Sequence, residues 1–179
     1  MAVAFVKDDA VVGLSVSSQD LAFTNNTVAG NAMLVCIALG SATITITGVT
    51  DTQGNTITSA VSSAAQSVTA NIRYALNLIG GANTVTVTTS ATTTISITLI
   101  EYSGVATSAA LDQTNSANGT AATSGNHGSI TTTAANGVIV SWLRTGGNAN
   151  GCTGTTGWVS RQSPGGAIYV QDKITTATE

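Results

Sequence analysis

The segment Thr84-Val-Thr-Val-Thr-Thr-Ser-Ala-Thr-Thr-Thr-Ile-Ser-Ile-Thr-Leu-Ile-Glu-Tyr102 decides the fold. Branched apolar residues alternate with hydroxyls at 84–89 and again at 93–102, the period of strands with one buried face and one hydroxyl-covered face. The pattern spreads outward in both directions. It marks strands at 33–39, 42–49, 56–61, 69–79, 137–144, 158–162 and 167–171, with weaker stretches at 3–7, 11–16, 21–24 and 129–132. Helical spacing is almost absent. Asp51-Thr-Gln-Gly54-Asn55 and Gly80-Gly-Ala-Asn83 carry turn chemistry between strand patterns and read as hairpins. The single proline, Pro164, falls in a loop where it removes no ladder hydrogen bond. Many short strands with polar turns and no intervening helix predict an all-β, antiparallel two-sheet sandwich, jelly-roll-like, with residues 1–179 as one domain.

Hydrophobic residues make up 42% of the chain and the mean hydropathy is positive, so there is apolar surface enough to offset the entropy of ordering. Charged residues make up only 7%, against roughly 25% in an average soluble domain. The surface is therefore hydroxyl and amide, and a formal net charge of -3 gives little repulsion between copies. Such a surface suits packing into an assembly. Lys7, Arg73, Arg144, Arg161 and Lys173 are scattered and form no run that could neutralise several phosphates, so nucleic acid is not an expected partner. No stretch approaches the ~20 apolar residues of a membrane span, and the N-terminus lacks the basic-then-apolar order of a secretory signal. Cys36 lies in an apolar strand and Cys152 in a Gly/Asn/Thr loop, which reads as a buried thiol and an unrelated loop thiol rather than a disulfide framework.

Glu101 is the most unusual charge, because alternation places it on the face of Ile95, Ile97 and Leu99. A carboxylate there must be hydrogen-bonded, paired or protonated, so Glu101 reads as a buried structural group that pins a strand end or the following loop. An isopeptide crosslink would need a lysine, an asparagine and an acid in an apolar core, and only Lys7 or Lys173 with Glu101 could supply the amine and the acid. Both lysines read as strand-end or surface residues, which argues against it. Asp51, Gly54 and Asn55 satisfy a plain turn, with too few carboxylates for calcium. His127 is the only histidine and sits in a Gly/Asn loop, so no zinc site is expected. No serine occupies a nucleophile elbow and no Gly-rich stretch has a phosphate loop's lysine, so neither an enzyme nor a cofactor is implied. Long Gly/Asn/Thr tracts at 105–129 and 145–157 are the candidate surface for recognition, with Asp112, His127 and Trp158 as its possible binding residues. Trp158 is the best exposed aromatic candidate; Tyr74, Tyr102, Trp142 and Tyr169 read more readily as core.

Five phrases occur in one order: Val28-Ala-Gly-Asn31, Gly48-Val-Thr-Asp-Thr-Gln-Gly-Asn-Thr56, Gly80-Gly-Ala-Asn-Thr-Val-Thr-Val87, Glu101-Tyr-Ser-Gly-Val-Ala106 and Leu111-Asp-Gln-Thr114. As a set, over residues 3–172, they resemble an uncharacterised Thr/Gly-rich β-sandwich module of bacterial surface proteins and phage virion proteins. The resemblance implies a non-enzymatic structural or adhesive role and transfers no catalytic residue. It also implies a final Thr-rich strand and a closing apolar strand beyond Lys173, so a sheet edge near Gln171 is expected to need cover from a neighbouring subunit, another segment of the chain or residues beyond Glu179. The leading expectation is a capsid or tail component located in the virion, a homo-oligomer or a partner of other virion proteins. The alternative is a carbohydrate-binding or adhesive module of a bacterial surface protein, extracellular or on the cell surface.

Overall fold

The alternating segment forms one strand, not two, and that strand turns a corner. A computed structural model describes residues 1–65, 68–118, 129–144, 156–162, 164 and 168–179. Its strands are β1 (Ala4–Ala22), β2 (Ala32–Leu39), β3 (Ile46–Asp51), β4 (Thr58–Ala65), β5 (Val68–Ala75), β6 (Thr84–Ser103), β7 (Val138–Arg144), β8 (Val159–Ser160) and β9 (Ile168–Ile174). β1 and β6 pair antiparallel from end to end, so three weak strand patterns at the N-terminus merge into β1. The register breaks in the middle: Val16 faces Thr93 while Ser18 faces Thr88. Ser17 alone therefore spans the extra residues of β6 between Thr88 and Thr93, a bulge that bends the pair. The Thr89 hydroxyl closes the bend, 2.9 Å from the Ala91 carbonyl and 3.3 Å from that of Ser17.

On one side of the corner β6 carries β2 as its second neighbour, opposite Ile95 to Tyr102; on the other it carries β3, opposite Val85 to Thr89. The six-stranded sheet runs β1-β6-β2-β5-β4 with β3 branching from β6. Because the strand bends, Val85 and Val87 join Ile95, Ile97 and Leu99 in one core with Met33, Val35, Ile37 and Leu39. The opposite face of β2 and β6 is covered as well. Ala38, Ile100 and Tyr102 pack there with Ile168 and Val170 of the second sheet, β7-β9-β8. The protein is thus an all-β sandwich of two antiparallel sheets. β2 reads as an almost unbroken apolar run because it lies between two cores.

Several expectations need correction. The turn at 51–55 forms, but β3 pairs with β6 and β4 with β5, so it is an arch between unpaired strands and not a hairpin. The same holds at 80–83, since β2 lies between β5 and β6. Local turn chemistry specifies the reversal of the chain but not which strands pair. Near Gln171 the expected cover comes from other segments of the chain: β9 runs to Ile174 and is flanked by β7 on one side and β8 on the other. Residues 129–132 form no strand, although the Thr132 amide donates to the Glu179 carbonyl at 2.8 Å. On β5 the buried residues are Asn71 and Ala75, with Ile72 and Tyr74 half-buried.

Cys36 is fully buried in β2, and burial pushes its thiol up to about 12. Since the thiolate is the reactive form, Cys36 of the folded protein is expected to resist iodoacetamide at mildly alkaline pH and to react once denaturant unfolds the chain. Peptide mapping by mass spectrometry checks this. Rapid alkylation of Cys36 without unfolding would contradict its place between the two cores.

Candidate functional site

Glu101 and Tyr102 are consecutive on β6, so the pleat sends them to opposite faces. Each organises a polar knot. Glu101 has no exposed surface. Its Oε1 accepts the Val28 amide at 2.9 Å and the Asn31 side-chain amide at 2.6 Å. Its Oε2 lies 2.9 Å from the Lys7 ammonium. Lys7 is the cross-strand partner of Glu101 on β1, and Asn31 stands immediately before β2, the other neighbour of β6. The Lys7 ammonium donates to the carbonyls of Asn25 at 2.9 Å and Asn26 at 2.5 Å, and it sits 4.9 Å above the Phe23 ring. Its contact with Oε2 is a charge contact without hydrogen-bond alignment. Two residues along β1, Asp9 accepts from the Thr24 amide and hydroxyl at 3.0 and 2.6 Å. Residues 24–31 are thereby clamped between β1 and β6.

On the opposite face the Tyr102 hydroxyl donates to Asp172 Oδ2, joining the large sheet to β9. Arg161 grips the same carboxylate in a two-point fork, Nε to Oδ2 and Nη2 to Oδ1, each at 2.8 Å. Its guanidinium stacks 3.5 Å over the Phe5 ring, which meets Tyr102 edge-on. Burial, and then the hydrogen bond to Asp172, raise the Tyr102 hydroxyl above its ordinary value of 10.0. Gln162 continues this seam, its amide donating to Asp8 at 2.8 Å.

The remaining expected residues lie apart. Asp51 accepts from the Asn55 amide and side chain at 2.8 and 2.6 Å and from Asn83 at 2.9 Å, while Asn55 accepts from the Ile79 amide at 2.8 Å. Gly54 takes a φ of 75°, which a side chain would strain. These bonds tie the two arches to one another. Asp112 is exposed and accepts from the amides of Thr133 and Ala134 at 2.7 and 3.2 Å and from the Thr133 hydroxyl. Those bonds hold its carboxyl below the usual 3.8. Trp158 is half-buried beside exposed Val159. His127 and Cys152 lie outside the described residues. A cavity of about 350 Å³ is lined by Val12, Leu14, Thr94, Ser96, Arg144, Pro164 and Ile168. It offers apolar contact and one cation rather than a reacting pair. Among the described residues no three of His, Cys, Asp and Glu gather as a metal would need.

Arg161 beside Asp172 is a partner that sequence reading missed, and Lys7 beside Glu101 is one that it named only to set aside. Lys7 reads as a strand end until β1 is seen to run on to Ala22, and Asp172 lies one residue past the apolar pattern of β9. The Val28-Ala-Gly-Asn31 phrase was a visible signal only through Asn31, whose side chain bonds Glu101, since Val28 does so through its backbone amide. The chain matches no protein-family model, no curated protein and no solved structure.

Two consequences are measurable. Glu101→Ala leaves Lys7, Asn31 and the Val28 amide without their shared acceptor and is expected to cost about 3–5 kcal/mol in urea unfolding; a loss below about 1 kcal/mol would show that the clamp is dispensable. For Tyr102 the folded state keeps the phenol protonated above pH 10, where the unfolded chain loses it. Its stabilisation is complete below that pH and falls as pH rises. Tyr102→Phe should cost about 1 kcal/mol at neutral pH and make the decline in stability above pH 10 shallower. An unchanged alkaline slope would contradict the assignment.

Proposed function

We propose that the chain is a structural protein of a virion, a capsid or tail component that builds or decorates the particle surface by associating with copies of itself or with neighbouring virion proteins. The observation that carries this reading is how the few acidic groups are used. Asp8, Asp9, Asp51, Glu101, Asp112 and Asp172 each accept hydrogen bonds that fasten a loop or a second sheet. Charge is spent on internal fastening, and the outer surface is left to hydroxyls, amides and isolated apolar side chains such as Leu14, which is 73% exposed. That division favours a rigid module with a surface able to pack closely.

The edge of the large sheet supports the same reading. β4, Thr-Ser-Ala-Val-Ser-Ser-Ala-Ala, pairs with β5 on one side, and among the described residues no strand pairs with the other. It carries neither charge nor proline, the devices by which exposed edges normally resist pairing. Half-buried Trp158 beside exposed Val159 favours the second reading, a glycan-binding or adhesive module of a cell surface.

Light scattering and direct imaging of the purified protein separate the two. Ordered oligomers, shells or fibres are expected, reduced to monomer by Ser62→Lys on exposed β4, where a row of like charges would oppose edge pairing. A stable monomer whose binding to glycans is abolished by Trp158→Ala would overturn the structural reading in favour of the adhesive one.

A further inference from the structure

The Glu101 site holds more than a fastening charge, because two of its three partners, Lys7 and Asn31, are the two reactants of an acyl transfer. A primary amine and a carboxamide rest on separate oxygens of one carboxylate, Lys7 Nζ at 2.9 Å from Oε2 and Asn31 Nδ2 at 2.6 Å from Oε1. The setting is largely dry. Glu101 is fully buried, Asn31 is 8% exposed, the Lys7 side chain is 16% exposed, and the Phe23 ring lies under Nζ. Such an arrangement replaces a bimolecular encounter with a held pair and sets a proton carrier between them.

We propose that Lys7 and Asn31 become joined by an intramolecular isopeptide bond, with Glu101 as the catalytic residue that moves the protons. Lys7 Nζ passes one proton to Glu101 Oε2 and, as a neutral amine, attacks Asn31 Cγ. The Cγ–Nζ bond forms and the Cγ–Nδ2 bond breaks. A second Nζ proton travels through the Glu101 carboxyl to the departing nitrogen, which leaves as ammonia. The first proton then passes to that ammonia, so ammonium is released and Glu101 returns to its carboxylate. The atoms balance without an oxidant, a reductant or a further reactant. The Lys7 ammonium also donates to the carbonyls of Asn25 and Asn26, and the amine must turn from them to reach Asn31 Cγ. One turnover per molecule requires no speed.

The bond would tie β1 to the start of β2 across the intervening strand β6, a covalent lock across three neighbouring strands. This inference goes beyond the proposed structural role and does not depend on it. Intact-mass measurement of the folded protein, followed by peptide mapping, tests it. The expected result is a mass lower than the sequence mass by one ammonia, together with a branched peptide linking Lys7 to Asn31. Lys7→Arg keeps the positive charge beside Glu101 and removes the amine nucleophile, so it should fold and show the full sequence mass. Wild-type protein that keeps the full sequence mass after prolonged incubation in the folded state would overturn the proposal. A deficit that persists in Lys7→Arg would overturn it equally, because ring closure at an Asn–Gly step such as Asn136–Gly137 would then account for the lost ammonia.

Discussion

A carboxylate with no exposed surface, placed where three strands run side by side, is the constraint on which the rest of the structure depends. Charge cannot be left bare in such a place. Glu101 is accommodated because β1 delivers Lys7 directly opposite and because the chain entering β2 turns the Val28 amide and the Asn31 side chain toward it. The loop between β1 and β2 is therefore positioned by the strand it crosses. Its neighbour Tyr102 imposes the same demand on the other face, where Asp172 of the smaller sheet and Arg161, one residue past β8, answer it. Two adjacent residues thus bind a loop to one side of β6 and a sheet to the other.

Polar knots of this kind contribute specificity more clearly than net stability. The apolar alternation of β1 and β6 would be served by several registers differing by two residues, since each keeps the same face inward. Only the observed register sets Lys7 opposite Glu101. A slip would bury the carboxylate without its cation. Asp51 plays the corresponding part at the far end, where Asn55 and Asn83 reach it from separate arches. In a chain this poor in charge, each acidic group carries much of the information about which segments meet.

The fold class was legible because the period of two persists along most strands, and β2 was legible to within a residue because both its faces are apolar. The buried character of Glu101 followed from the same alternation. Pairing was less legible. The arches at 51–55 and 80–83 have the composition of hairpins, and only the bend of β6 decides that their flanking strands find other partners. That bend lies in Thr89-Ser-Ala-Thr-Thr93, where the apolar signal fades and reads as a break between strands instead of a corner within one. Lys7 and Arg161 were hidden for a different reason. Long cationic side chains reach partners from positions that alternation alone places at a margin. The crosslink weighed for Glu101 from the sequence lacked its asparagine, which the structure supplies as Asn31 on the carboxylate's other oxygen.

Glu101 holds residues 24–31 in place, and the exchange of the Val28 backbone amide reports on this directly. Val28 lies in an exposed loop, and its amide hydrogen would exchange rapidly unless Glu101 Oε1 holds it. Hydrogen exchange followed by NMR is expected to show Val28 protected to a degree comparable with the amides of β6, and to show that protection lost in Glu101→Ala, which removes the acceptor, while β6 remains protected. A Val28 amide that exchanges as fast as an unstructured one in the wild-type protein, with β6 still protected, would contradict the account.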